Sequence, residues 1–122
     1  MHQSRWTFHC CHTGWSDTVV IGIASSYFCI SGSQKGRKAA RFILRASNKG
    51  VCVGRVYKYN TSGVRTDLMT ATMDGTACYS TSSTLLSSAA LDIGDGLFFE
   101  VVSLGTPVPI GLTMAFEVGD AT

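Results

Sequence analysis

The chain has 122 residues, 45% hydrophobic and 15% charged, with 13 Gly, 2 Pro, 5 Cys and a net charge of +2. That length suits one domain burying about two-thirds of its unfolded surface, enough for a core without obligatory staples. The apolar content excludes disorder, scarce Lys, Glu and Ala argue against a helical bundle, and abundant Thr, Val, Gly and Ser favour strands and turns.

In chain order, residues 5–12 (RWTFHCCH), 18–24 (TVVIGIA) and 27–32 (YFCISG) read as short strands broken by Gly, Ser and Asp. Residues 38–46 and 51–59 follow as a longer hairpin. Phe42, Leu44 and Ala46 alternate with Arg41, Ile43 and Arg45; Val51, Val53, Arg55, Tyr57 and Tyr59 alternate with Cys52, Gly54, Val56 and Lys58. Ser47-Asn48-Lys49-Gly50 joins them, and Asn and Gly tolerate the positive φ of a hairpin bend. Asn60-Thr61-Ser62-Gly63 makes another turn, residues 64–73 another strand and residues 76–80 a less regular one; a helical turn is admissible within residues 82–91. After the turn Gly94-Asp95-Gly96, residues 97–103 and 112–118 read as a closing hairpin about Gly105-Thr106-Pro107. In its second arm Leu112, Met114, Phe116 and Val118 fall on one face and Thr113, Ala115 and Glu117 on the other. The expected fold is all-β: a single antiparallel β-sandwich of about eight strands, jelly-roll-like, spanning residues 1–122, with residues 1–17 a candidate N-terminal arm.

Charge is unevenly spread. Lys35, Arg37, Lys38, Arg41, Arg45, Lys49, Arg55, Lys58 and Arg65 give residues 35–65 a charge of +9 with no acid, while one Arg and eight acids leave the remainder at −7. Either these charges mix in space as solvated strand faces, or they form a positive face for an anionic surface or a neighbouring subunit. So few charges suit a chain whose surface is partly covered by other copies, and we expect an oligomer. The odd number of cysteines, Cys10, Cys11, Cys29, Cys52 and Cys78, lacks the spacing of a secreted disulfide framework and reads as reduced, mostly buried small hydrophobes in a protein made in a cytoplasm. No signal peptide and no run long enough to span a membrane is found.

No chemistry-bearing constellation assembles. His9-Cys10-Cys11-His12 offers four metal-ligating types, but on a strand alternate residues point to opposite faces, so the four cannot converge on one ion; no metal and no cofactor is expected. The three histidines, His2, His9 and His12, lie within the first twelve residues, with Asp17 the nearest acid and no G-x-S-x-G elbow, so enzyme activity is not expected. Asp92 and Asp95 flank a turn glycine, where Asp bonds its own backbone. Gly32-Ser33-Gln34-Lys35-Gly36 lacks the spacing of a phosphate loop. Phe42, Tyr57 and Tyr59 within the basic window are better placed as core or cross-strand partners than as a nucleic-acid stacking platform. Trp6, Phe8 and Trp15 anchor the N-terminal arm on its own core or on a neighbouring subunit. With Arg37, Lys38, Arg41 and Arg45 they are the expected interface residues.

A basic strand leading to VCVGRVYKY, a turn with Asn and Gly, a Ser/Thr-rich passage, then GDGLFFEV and a closing GTP with GLTMAFEV resemble, over roughly residues 38–118, small jelly-roll proteins and domains of tailed bacteriophages. Such modules occur as capsid decoration (cement) proteins and as tail-fibre or receptor-binding domains, often as trimers. The resemblance implies a virion protein on the capsid surface, a homotrimer bound to the major capsid protein between capsomers, with neither membrane nor nucleic acid as partner. The decoration role is preferred because a single domain lacks the shaft of a tail fibre. The alternative is a glycan-binding tail module, for which Trp15, Tyr27 and Tyr79 are the scattered aromatic candidates.

Overall fold

A computed structural model describes residues 5–24 and 27–120; the first four residues of the expected arm, His2 among them, lie outside the described residues. Among the described residues nine strands form: β1 Trp6–Cys11, β2 Gly22–Ile23, β3 Phe28–Cys29, β4 Ala39–Arg45, β5 Val51–Tyr59, β6 Arg65–Asp74, β7 Tyr79–Ser82, β8 Gly96–Leu104 and β9 Thr113–Val118. One sheet has the order β1-β9-β4-β7; the other has β2-β8-β5-β6, with β3 also paired to β8. All named pairings are antiparallel. Since β2 and β3 lie one after the other along β8, Gly22 opposite Val101 and Phe28 opposite Leu97, they occupy a single interrupted edge position. Eight strand positions in two four-strand sheets with these crossovers make a jelly roll. No helix forms among the described residues, including residues 82–91, where isolated bridges join Met69 to Leu85 and Lys38 to Ala90.

Alternation sets the core as expected within strands. Phe42 and Leu44 of β4 and Met114, Phe116 and Val118 of β9 are buried from one sheet; Cys52 and Val56 of β5, Leu68, Ala71 and Met73 of β6 and Leu97, Phe99 and Val101 of β8 are buried from the other. At Gly54 the sheets approach so closely that a Cβ would lie 2.7 Å from Leu44 Cδ2. Phe8 belongs to this core. It is 4% exposed, with ring centroids 5.3 Å from Phe28 and 6.4 Å from Phe116, so its expected place at a subunit interface is corrected.

Pairing differs from expectation in two places. β4 and β5 are not a hairpin, nor are β8 and β9: in each case consecutive strands lie in opposite sheets, and among the described residues only β5 and β6 pair directly with a neighbour in sequence. The two connections instead run side by side across one end of the sandwich. Ser47 N donates to Ile110 O at 2.8 Å, Asn48 Nδ2 to Val108 O at 3.0 Å, Ile110 N to Asn48 Oδ1 at 2.9 Å, and Val51 N to Pro107 O at 2.8 Å. Gly50 serves this approach through its missing side chain and not through a positive φ, since a Cβ there would lie 2.5 Å from Pro109 Cα. The peptide between Thr106 and Pro107 is cis.

Of the five cysteines, Cys10 and Cys52 are buried, Cys78 is intermediate, and Cys11 and Cys29 are exposed. That corrects the expectation of mostly buried ones. Cys11 faces outward because β1 is an edge strand whose alternate residues leave the core.

Candidate functional site

The +9 window is dispersed by the fold. Arg41 Nη2 pairs with Glu117 Oε2 at 3.1 Å, and Arg5 Nη1 holds Glu117 Oε1 at 2.7 Å. Arg65 contacts Asp67 at 2.7 Å and Glu100 at 3.5 Å; its bonded partner Asp67 favours the charged guanidinium and raises its pKa. Lys58 turns inward with Val56, and its Nζ lies 2.8 Å from Asp95 Oδ2 and 3.1 Å from Ala90 O, both Lys58 and Asp95 being buried. Asp95 Oδ2 also accepts from Asp92 N at 2.9 Å, so the turn expected at Gly94-Asp95-Gly96 is present, and it closes around an ion pair. The basic and acidic segments therefore mix in space, one of the two arrangements the sequence allowed.

Of the expected interface residues, Arg37 bonds backbone, its Nε 3.0 Å from Ser33 O. Trp6 is partly exposed at the rim of the core, its ring 6.5 Å from Phe8. Lys38 and Arg45 are exposed, and no acid among the described residues pairs with either side chain. Around β1, Cys10 enters the core, His9 and Cys11 face out, and His12 places Nε2 3.1 Å from Val20 O.

Two aromatic arrangements were not legible in the sequence. On the outer face of the β8-β5-β6 sheet, Phe98 stacks between Tyr27 and Tyr57, with centroids at 4.9 and 5.5 Å and interplanar angles of 17° and 11°, while Arg65 Cζ lies 3.8 Å over the Tyr57 ring. Tyr57 is only 1% exposed although it lies outside the sandwich core, because Phe98, Tyr59 and Arg65 cover it. Burial, with Glu100 nearby, pushes its phenol pKa up. The stack closes the Tyr57 ring to a ligand, whereas Tyr27 at its end is 57% exposed.

The second arrangement is open. On the outer face of the β1-β9-β4-β7 sheet one register row runs Cys11, Thr113, Arg45, Tyr79. Beside it Trp15, Arg45, Ala46, Ser47, Cys78, Gly111 and Thr113 line a cleft of about 350 Å³. Trp15 is 80% exposed, yet its loop is firmly held: Gly111 N donates to Asp17 O at 2.9 Å, Leu112 N to Thr13 Oγ1 at 3.0 Å, His12 N to Leu112 O at 3.0 Å and Val19 N to Pro109 O at 2.9 Å. Gly111 has φ +66°, and any Cβ would run into the Trp15 carbonyl, so the close packing of the two loops requires glycine there. The opposite wall is fixed by Ala46 N donating to Cys78 O at 2.8 Å and Ser47 Oγ to Ile110 O at 2.9 Å. Two of the three scattered aromatics, Trp15 and Tyr79, are thus brought beside Arg45, while Tyr27 belongs to the stack on the other sheet. Among the described residues no three His, Cys, Asp or Glu side chains cluster as a metal site would need.

No protein family matches the chain, and no curated protein matches it either. Solved structures share its fold. It is similar to the globular domain of zebrafish complement 1qA protein, with 14% identity over 97% of this chain and 96% of that one, and a TM-score of 0.50. It is also similar to a chain of infectious bursal disease virus, Gx strain, with 10% identity over 99% of this chain, spanning 33% of the virus chain, and a TM-score of 0.52. The SPBc2 prophage-derived protein YomS aligns over 98% of this chain and 96% of its own at 15% identity, but its TM-score of 0.44 is too low to carry an argument.

Proposed function

We propose that this protein is a structural component of a virion, a jelly-roll decoration protein that binds between capsomers and strengthens the shell. The observation that carries the reading is the segment between β1 and β3. There Trp15, Val20, Ile21 and Ile23 are large apolar side chains, each more than half exposed, on a chain with only 18 charged residues. So many large apolar side chains left exposed within one short segment favour a contact with another macromolecule. The fold agrees, since a virus chain carries it as part of a larger protein. Attachment would bury this segment, and each bound copy would add stability to the shell by mass action. A trimer about a threefold axis suits such a role, with Lys38 among the exposed cations steering approach to an acidic shell. Electron microscopy of particles from the producing cells tests the reading. One jelly roll at each capsomer junction is the expected result, lost when Val20, Ile21 and Ile23 are all changed to Asp; density confined to the tail, or none on the particle, rejects it.

A second reading, a glycan-binding module, draws on the convergence of Trp15 and Tyr79 on Arg45.

A further inference from the structure

We infer that the Trp15–Arg45 cleft binds a sugar acid, its carboxylate held by Arg45 and its ring lying against Trp15. The inference rests on the glycan-binding reading and names the ligand class for that site.

Size comes first: about 350 Å³ lies at the lower end of ligand cavities and suits a single ring better than a polymer segment lying lengthwise. The electrostatics then select the ligand. Arg41, Arg65 and Lys58 are each neutralised by an acid, whereas Arg45 has none among the described residues. Its register neighbours in the row, Thr113 and Tyr79, are uncharged. A guanidinium left open in a cleft presents a planar fork of donors that matches a carboxylate, and such a charge-assisted pair is about twice as strong as a neutral hydrogen bond. Trp15 supplies the second element. Sugar rings present C–H faces to aromatic rings, and an exposed indole on a rigid loop offers that surface with little ordering cost. Ser47 and Thr113 add hydroxyls at the wall, and the Ser47 oxygen retains acceptor capacity after donating to Ile110 O. A bare anion would use Arg45 alone and a neutral sugar Trp15 alone; a ligand carrying both groups uses the whole cleft.

The test uses the full chain carrying Trp6→Phe, which leaves Trp15 as the one tryptophan reporter. Fluorescence is titrated with the methyl glycosides of N-acetylneuraminic acid and glucuronic acid, with the methyl esters of both, with methyl galactoside and with acetate. Saturable change is expected for at least one sugar acid. It should weaken about tenfold or more, equivalent to about 1.4 kcal/mol, for its ester or on Arg45→Gln, with near-UV circular dichroism unchanged. Arg45→Lys should restore only part of it, because an ammonium lacks the fork. Isothermal titration with Trp15→Ala should show a comparable loss. If esters and methyl galactoside bind as well as the acids, the sugar-acid inference falls while the glycan reading stands. If acetate binds as tightly as the sugar acids, or if no sugar binds up to about 10 mM, where affinity would be under about 3 kcal/mol, both fall.

Discussion

The Lys58 ammonium lies 2.8 Å from the Asp95 carboxylate inside the end of the sandwich, where β5 meets the turn before β8. Neither ion stands alone, since Lys58 Nζ also donates a hydrogen bond to Ala90 O and Asp92 N donates to the same Asp95 oxygen. Removing one partner strands the other charge away from water. Asp95→Leu should therefore cost about 3–5 kcal/mol in urea unfolding, and Lys58→Met a similar amount, while the double variant Lys58→Met/Asp95→Leu should recover much of the loss. Additive single-variant losses in the double variant would show that the two side chains do not act as a pair.

Gly50 and Gly32 make a matched comparison. A methyl group at Gly50 meets the Pro109 backbone at 2.5 Å, whereas at Gly32 nothing lies within 4 Å, and neither has a positive φ. Gly50→Ala should destabilise by about 1–3 kcal/mol through overpacking of the two crossing connections. Gly32→Ala should be neutral or slightly stabilising, by up to about 1 kcal/mol, because it restricts the unfolded chain. Equal thermal midpoints for the two variants would contradict the close approach.

Thiol chemistry should sort the cysteines by exposure. Ellman's reagent should modify Cys11 and Cys29 rapidly in the native protein, Cys78 more slowly, and Cys10 and Cys52 only on unfolding. Burial pushes the Cys52 thiol pKa from 9.0 to about 11. Between those values the unfolded chain releases a proton that the folded chain retains, so unfolding is favoured and stability falls as pH rises from about 9 to about 11. Cys52→Ala removes that contribution. Its deficit against the parent should shrink over this alkaline range in urea unfolding series, and a constant deficit would exclude the mechanism.

On the outer aromatic stack, the rings and not the cation should supply most of the stabilisation. Tyr57→Ala empties a site buried by Phe98, Tyr59 and Arg65 and should cost about 3–5 kcal/mol. Arg65→Ala removes a partly exposed cation, its ion pairs and its ring contact, at about 1 kcal/mol. Losses of the same size in both variants would assign the face to the cation.

What the sequence made legible was strand position and strand face, because these are local. The alternation of Met114, Phe116 and Val118 with Thr113, Ala115 and Glu117 survives intact in β9. Which sheet each strand joins was not legible. A period of two says that one face is buried but not against what, so two crossings between sheets read as hairpins, and a glycine needed for its missing side chain read as a turn former. In sequence Lys58 is one more cation in a basic window, since its partner lies across the fold on the turn before β8. The cleft was hidden for the same reason: Trp15, Arg45 and Tyr79 become neighbours only once β4 pairs with β7 and the residue 13–19 loop is laced to residues 109–112.

The interruption between β2 and β3 has a consequence for self-association. Bare strand edges invite further strands from other molecules, which is the route to domain swapping and amyloid. Here the edge beside β8 is split into two strands of 2 residues each, β7 has only 4, and the outer side of β6 is capped where Leu86 N donates to Leu68 O at 2.8 Å. Among the described residues that leaves two continuous edges able to template an incoming strand, β1, 6 residues long, and the part of β6 beyond Met69, and a proline placed in either is the natural safeguard if the isolated protein forms fibres on storage.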